Sequence, residues 1–152
     1  MIQRVQTIFL VCGAAMLGLL FLKPLSLLGI NQVPEQVAVG SMLADGNYSI
    51  SDNSVLLAIV ALTILILIAA VFLFKNRVLQ IKLGKISLAL IAAAIVLSLF
   101  HFWQEYQSVA EQIQILPGFG YASMVVAIVF IVLAIRSIRK DENLVRSADR
   151  LR

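Results

Sequence analysis

The stretch Ser54 to Phe74 limits what this chain can fold into more than any other. It reads SVLLAIVALTILILIAAVFLF, with no charge and two hydroxyls. As an α-helix rising about 1.5 Å per residue it is roughly 30 Å long, the thickness of a bilayer's hydrocarbon core. It is apolar on every side, so it offers no face to water. It stops at Lys75-Asn76-Arg77, a basic end suited to lipid headgroups. A soluble domain could hold one such helix at its centre, but similar apolar runs cover 5–22, 86–103 and 119–135. Four spans use about half of the 152 residues, which leaves no room for a second folded domain. The chain is 13% charged and 61% hydrophobic, where soluble domains are about a quarter charged and half apolar.

The net charge of +4 would suggest nucleic acid if the bases shared one soluble face. They stand instead at the ends of the apolar runs, so no nucleic-acid partner is expected. Cys12 is the single cysteine, so no internal disulfide can form. It reads as a small apolar residue in a membrane helix. A lipidated cysteine would need a small residue just before it, and Phe9-Leu10-Val11 precedes it.

The first run, 5–22, could be a secretory signal with Arg4 as its basic start. It is long, and no A-x-A-like site precedes Lys23-Pro24, so a retained span is expected. Ala14 and Gly18 have the small-xxx-small spacing that lets helix backbones approach, most simply within the same bundle. The long segment 24–53 carries turn formers at Pro24, Gly29, Pro34, Gly40 and Gly46. Asp45-Gly46-Asn47 reads as a tight turn, with Val37–Val39 and Tyr48–Ile50 as the arms of a hairpin. Ser51-Asp52-Asn53-Ser54 supplies helix N-cap residues for the second span.

From Lys75 to Lys85 there are four bases and no acid. This reads as a short interfacial connection in which Lys75, Arg77 and their neighbours snorkel to headgroups. The third span closes with His101, Trp103 and Tyr106, and the fourth opens near Tyr121. Aromatic residues gather where hydrocarbon meets headgroups, so these are expected membrane-interface anchors. His101 has no companion His or Cys nearby, so no metal site is expected. Tyr106, Val109, Ile113 and Leu116 recur at helical spacing, as in an extension of the third span or a short surface helix. Residues 136–152 form a basic tail, expected to be helical. Leu144, Ala148 and Leu151 share one face, and Arg146, Arg150 and Arg152 supply charge. This is either a surface for docking a partner or anionic lipid or an ordinary basic cytoplasmic end.

Placing the loops on alternate sides sorts the charges. Arg4, the Lys75–Lys85 segment and the tail fall on one side. Glu35, Asp45, Asp52, Glu105 and Glu111 fall on the other, with Lys23 at the boundary. The positive-inside rule then puts both termini in the cytoplasm. The expected fold is all-α: an integral membrane four-helix bundle, N-in/C-in, with a long extracytoplasmic loop between helices 1 and 2.

The start MIQRVQT, the four spans with a long loop after the first, and the ending KDENLVRSADRLR resemble a Bacteroidota family of small four-span integral membrane proteins known as a domain of unknown function. The resemblance covers essentially the whole chain, and its most specific part is the tail from Lys140 to Arg152. It implies a bacterial inner (plasma) membrane and a four-helix bundle, and supplies neither an activity nor a site. The architecture is also similar to claudin-like four-span proteins, without the tryptophan and paired cysteines of their first loop.

No enzyme constellation is present, and neither catalytic residues nor cofactors are expected. The hydroxyls within the spans, Thr7, Thr63, Ser87, Ser98 and Ser123, can bond to their own helices. The span interiors read as free of Asp, Glu, Lys and Arg, which argues against a proton-coupled transporter or membrane protease. The expectation is a non-enzymatic accessory or assembly subunit that contacts the lipid bilayer and other membrane proteins or copies of itself, with no small-molecule ligand identifiable. The alternative is a low-charge transporter or pore for an apolar or neutral substrate.

Overall fold

The structure is a computed structural model that describes residues 3–22, 26–30, 46–74, 76–109 and 115–150. Four helices dominate it: α1 (Gln3–Gly18), α2 (Ser54–Phe72), α3 (Arg77–Val109) and α4 (Phe119–Arg150). A 3-10 turn at Leu19–Phe21 prolongs α1, and another at Ile50–Asp52 leads into α2. Three helices are long and apolar enough to cross a membrane, at Ser54–Phe72, Arg77–Gln107 and Phe119–Val145. The first apolar helix, Val5–Phe21, is shorter, at roughly 25 Å.

Each helix packs against its neighbours in sequence, and α1 closes the ring against α4. Apart from Phe102 of α3 and Ser123 and Ile135 of α4, which are also buried, the buried positions follow one rule in all four helices. They are Gln6, Leu10, Gly13, Leu17 and Leu20 in the first, and Leu56, Val60, Thr63, Leu67 and Ala70 in α2. In α3 they are Gln80, Gly84, Ser87, Ile91, Ala94 and Ser98, and in α4 Gly120, Met124, Ala127, Ile131, Ala134, Ile138 and Asp141. Steps of four and three alternate throughout, a mean period of about 3.5 that favours a left-handed bundle with coiled-coil-like packing. The glycines bring backbones together: a Cβ at Gly13 would lie 3.3 Å from Ile131, and one at Gly84 2.9 Å from Ile135. The outward faces stay apolar, with Ile8, Leu65, Val96 and Val129 about half exposed or more.

Two helix starts, those of α2 and α3, are capped by their own sequence. Asn53 Oδ1 accepts from the Val55 and Leu56 N–H groups at 2.9 and 3.2 Å, which satisfies two of the four donors a helix start leaves open. Asn76 Oδ1 accepts from Leu79 N–H at 3.1 Å at the head of α3. The Asn76 N–H donates to the Leu73 carbonyl at 3.0 Å. Most of the segment from Lys75 to Lys85, read from sequence as an interfacial link, is the first turns of α3.

One end of the bundle is closed by a three-stranded antiparallel sheet, in the order β2–β1–β3. Its strands are β1 (Leu28–Ile30), β2 (Asn47–Tyr48) and β3 (Ile115–Pro117). Leu28 pairs with Tyr48 on one side and Pro117 on the other. Gly46 has a φ of 74°, a left-handed turn just before β2 that glycine adopts without strain. Tyr48 thus lies in a strand, but its partner is Leu28; Val37–Val39 lies outside the described residues. Leu116, expected on a helical face, lies in β3, while α3 continues as helix through Val109. The chain after β3 crosses so closely over Ser26 and Leu27 that a Cβ at Gly118 would lie 2.4 Å from both carbonyl oxygens.

Candidate functional site

The two ends of the bundle are chemically unlike. At the sheet end, Tyr48 is fully buried and its hydroxyl donates to the Ser98 carbonyl at 3.2 Å. Its ring meets Phe102 at 5.8 Å, and Phe102 stacks on Tyr106 at 5.9 Å. Ser98 Oγ also bonds the Tyr121 hydroxyl at 3.0 Å. Burial, reinforced by the neighbouring Tyr121, Asp52 and Glu105, pushes the Tyr48 phenol well above its ordinary range. Tyr121, expected as an interface anchor, is half-buried and bonded into the bundle. Trp103 is 58% exposed. His101 is half-buried, edge-on to Phe100 at 6.0 Å.

The other end, which we call the basic end, is tied by a polar clasp. Gln6 Nε2 of α1 donates to the Asp141 carboxylate of α4. Arg77 of α3 donates from its guanidinium to the Asp141 backbone carbonyl at 3.3 Å. Gln80 of α3 donates from its amide to the Ala70 carbonyl of α2 at 2.8 Å. The three bonds join all four helices in one layer, and Gln6, Gln80 and Asp141 are all buried. Asp141 Oδ1 is buried and has no hydrogen-bond partner among the described residues.

The clasp corrects two sequence expectations. Arg77, read as a headgroup anchor, turns partly into the bundle. Asp141, placed in the exposed tail, is buried on the inner face of α4. Sequence reasoning missed it because it lies among Arg139, Lys140 and Glu142. The signal that could have found it is its spacing, three residues past Ile138 and seven past Ala134 on the inner stripe. Lys75 lies outside the described residues.

Beyond Asp141, α4 leaves the bundle. Asn143, Leu144, Val145 and Ser147 are exposed, with Leu144 at 53% and Val145 at 47%. Arg146, Ala148 and Arg150 continue the same helix; their side chains, and Leu151 and Arg152 entirely, lie outside the described residues. By helical register Leu144 and Ala148 share a face, as do Arg146 and Arg150. The base of this arm carries exposed Arg136, Arg139 and Lys140, and α3 presents exposed Lys82 and Lys85.

A family model described as Domain of unknown function (DUF4293) matches residues 2–151. The chain belongs to this family. The match runs the length of the chain, so in this DUF4293 member the bundle, the sheet and the α4 arm form one family unit. No curated protein and no solved structure matches it.

Proposed function

We propose that this DUF4293 protein is a non-enzymatic subunit of the bacterial inner membrane. It crosses the membrane four times with both termini in the cytoplasm, and it assembles with another protein through the projecting end of α4. The observation that carries this reading is the exposure of Leu144 and Val145, adjacent on the arm. The clasp sets Asp141 in one layer with Ala70, four residues before the end of the apolar run of α2, so these apolar side chains emerge at the edge of the hydrocarbon, where a protein surface is the fitting cover. The bases Arg146, Arg150 and Arg152 favour an acidic rim on that partner. The exposed bases around the same end support its cytoplasmic placement.

A transport path is less well supported. Such a path needs polar groups facing a shared space. Thr63, Ser87, Ser98 and Ser123 instead donate to the carbonyls of Ile59, Leu83, Ile95 and Gly120 in their own helices, at 2.7–3.0 Å. The test is purification of tagged protein from its native membrane in mild detergent, beside a Leu144→Glu/Val145→Glu variant. A stoichiometric partner present with the wild type and lost with the variant, while the variant stays in the membrane fraction, supports the reading. Recovery of the protein alone in both cases overturns it.

A further inference from the structure

At the sheet end, a cavity of about 350 Å³ opens between the end of α1 and the start of α2. That volume is in the range of small-ligand sites. Its walls differ. Phe21, Leu22 and Leu57 form an apolar side, and Asn47, Ser49 and Ser51 form a polar, uncharged side. Phe21 and Leu22 are 45% and 52% exposed. The Ser49 and Ser51 hydroxyls bond each other at 2.7 Å. Nearby, Asp52 is engaged locally: its Oδ2 accepts from the Ser49 N–H at 2.6 Å and from the Ser49 hydroxyl at 3.1 Å.

The change in polarity falls at a definite height. The apolar run of α2 begins at Val55, so Leu57 stands in the first turn inside hydrocarbon and Ser49 and Ser51 just outside it. The 3-10 turn at Leu19–Phe21 ends the apolar run of α1 at the same level. In a bilayer this is the boundary between hydrocarbon and headgroups, where a glycerolipid changes from acyl chain to ester and glycerol. Hydroxyl and amide groups can donate to ester carbonyl oxygens and accept from glycerol hydroxyls.

We propose that this cavity is a binding site for one bilayer glycerolipid. Its ester and glycerol region meets Asn47, Ser49 and Ser51, and an acyl chain lies along Phe21, Leu22 and Leu57. Among the described residues the walls carry no charge, so the site selects the part of the lipid common to all glycerolipids and is indifferent to headgroup charge. The inference rests on the membrane-spanning reading of the bundle and is independent of docking at α4.

The test is native mass spectrometry of the protein in dodecyl maltoside, titrated separately with dioleoyl phosphatidylethanolamine and dioleoyl phosphatidylglycerol. One saturable lipid adduct is expected, with the two affinities within threefold of each other. Ser51→Trp, a change at an exposed position, and Leu57→Trp should each weaken it tenfold or more while circular dichroism shows the helix content retained. Ala15→Trp, in the separate apolar cleft between α1 and α2, should leave it unchanged. No saturable adduct, an adduct indifferent to both cavity-filling changes, or a tenfold preference for either headgroup overturns the proposal. Alkaline carbonate extraction of the wild type reports membrane integration separately, so a failure of the lipid site is not confused with a failure of the spanning reading.

Discussion

The Gln6–Asp141 bond can be weighed by a double-mutant cycle. Gln6→Leu removes the amide and leaves a buried carboxylate with neither oxygen bonded by a side chain among the described residues. Leaving a buried carboxylate without its hydrogen-bond donor costs about 3 kcal/mol. Asp141→Leu leaves a buried amide unpaired, which costs about 1–3 kcal/mol. Replacing both by leucine removes the two desolvated polar groups together, and such an exchange is close to neutral. With single losses of about 3 and about 2 kcal/mol and a double loss under about 1, the coupling is about 4 kcal/mol. The bond from Arg77 reaches the backbone carbonyl and survives all three changes, so it does not enter the cycle. The assay is reversible unfolding in mixed dodecyl maltoside and SDS micelles, followed by circular dichroism. Single changes that each cost less than about 0.5 kcal/mol, or a double loss equal to the sum of the singles, would refute the clasp.

Other consequences follow from the same geometry. Gly118→Ala drives a methyl group against two backbone oxygens and should cost about 3 kcal/mol. Gly18→Ala meets nothing within 4 Å and should stabilise by about 0.5–1 kcal/mol; both are read by thermal melting in detergent. The Tyr48 phenol has a raised pKa in the folded state, so the fold keeps a proton that the unfolded chain loses near pH 10. The stability this provides is complete below pH 10 and falls as the pH rises further. Tyr48→Phe should flatten that alkaline loss and cost about 1 kcal/mol at neutral pH for the bond to Ser98. In a Cys12→Ala background, Ser147→Cys should react with an impermeant maleimide only after the membrane is opened, and Ser51→Cys should react in intact spheroplasts. The reverse pattern would invert the topology.

The helices were legible because hydrocarbon-length apolar runs have few other folds open to them, and Ser54–Phe72 stands out without any context. What sequence alone obscured was which face turns inward. In a helix that is apolar all round, periodicity of hydrophobicity carries no signal. The polar and small residues carry it instead: Gln6, Thr63, Gln80, Ser87, Ser98 and Asp141 all fall on the 3.5-residue stripe, beside Gly13 and Gly84. Reading them as exceptions within the spans, or as the start of a tail, hid the clasp. Gln6 and Asp141 are also 135 residues apart, and no local pattern pairs them. The sheet was hidden for a similar reason. β1 bonds to β3, which follows two intervening helices, and the three-residue strands are too short to show an alternation of their own.

The end of α4 is proposed to meet a protein partner where it leaves the bundle. The most direct test is a photo-crosslinking amino acid placed at Leu144 in cells, with a second at Leu133 on the outer face of the bundle as the comparison. One discrete protein adduct is expected at position 144, weakened when Arg146, Arg150 and Arg152 are changed to Glu. Lipid adducts alone at position 144, as at position 133, would contradict it and lay the arm on the membrane surface.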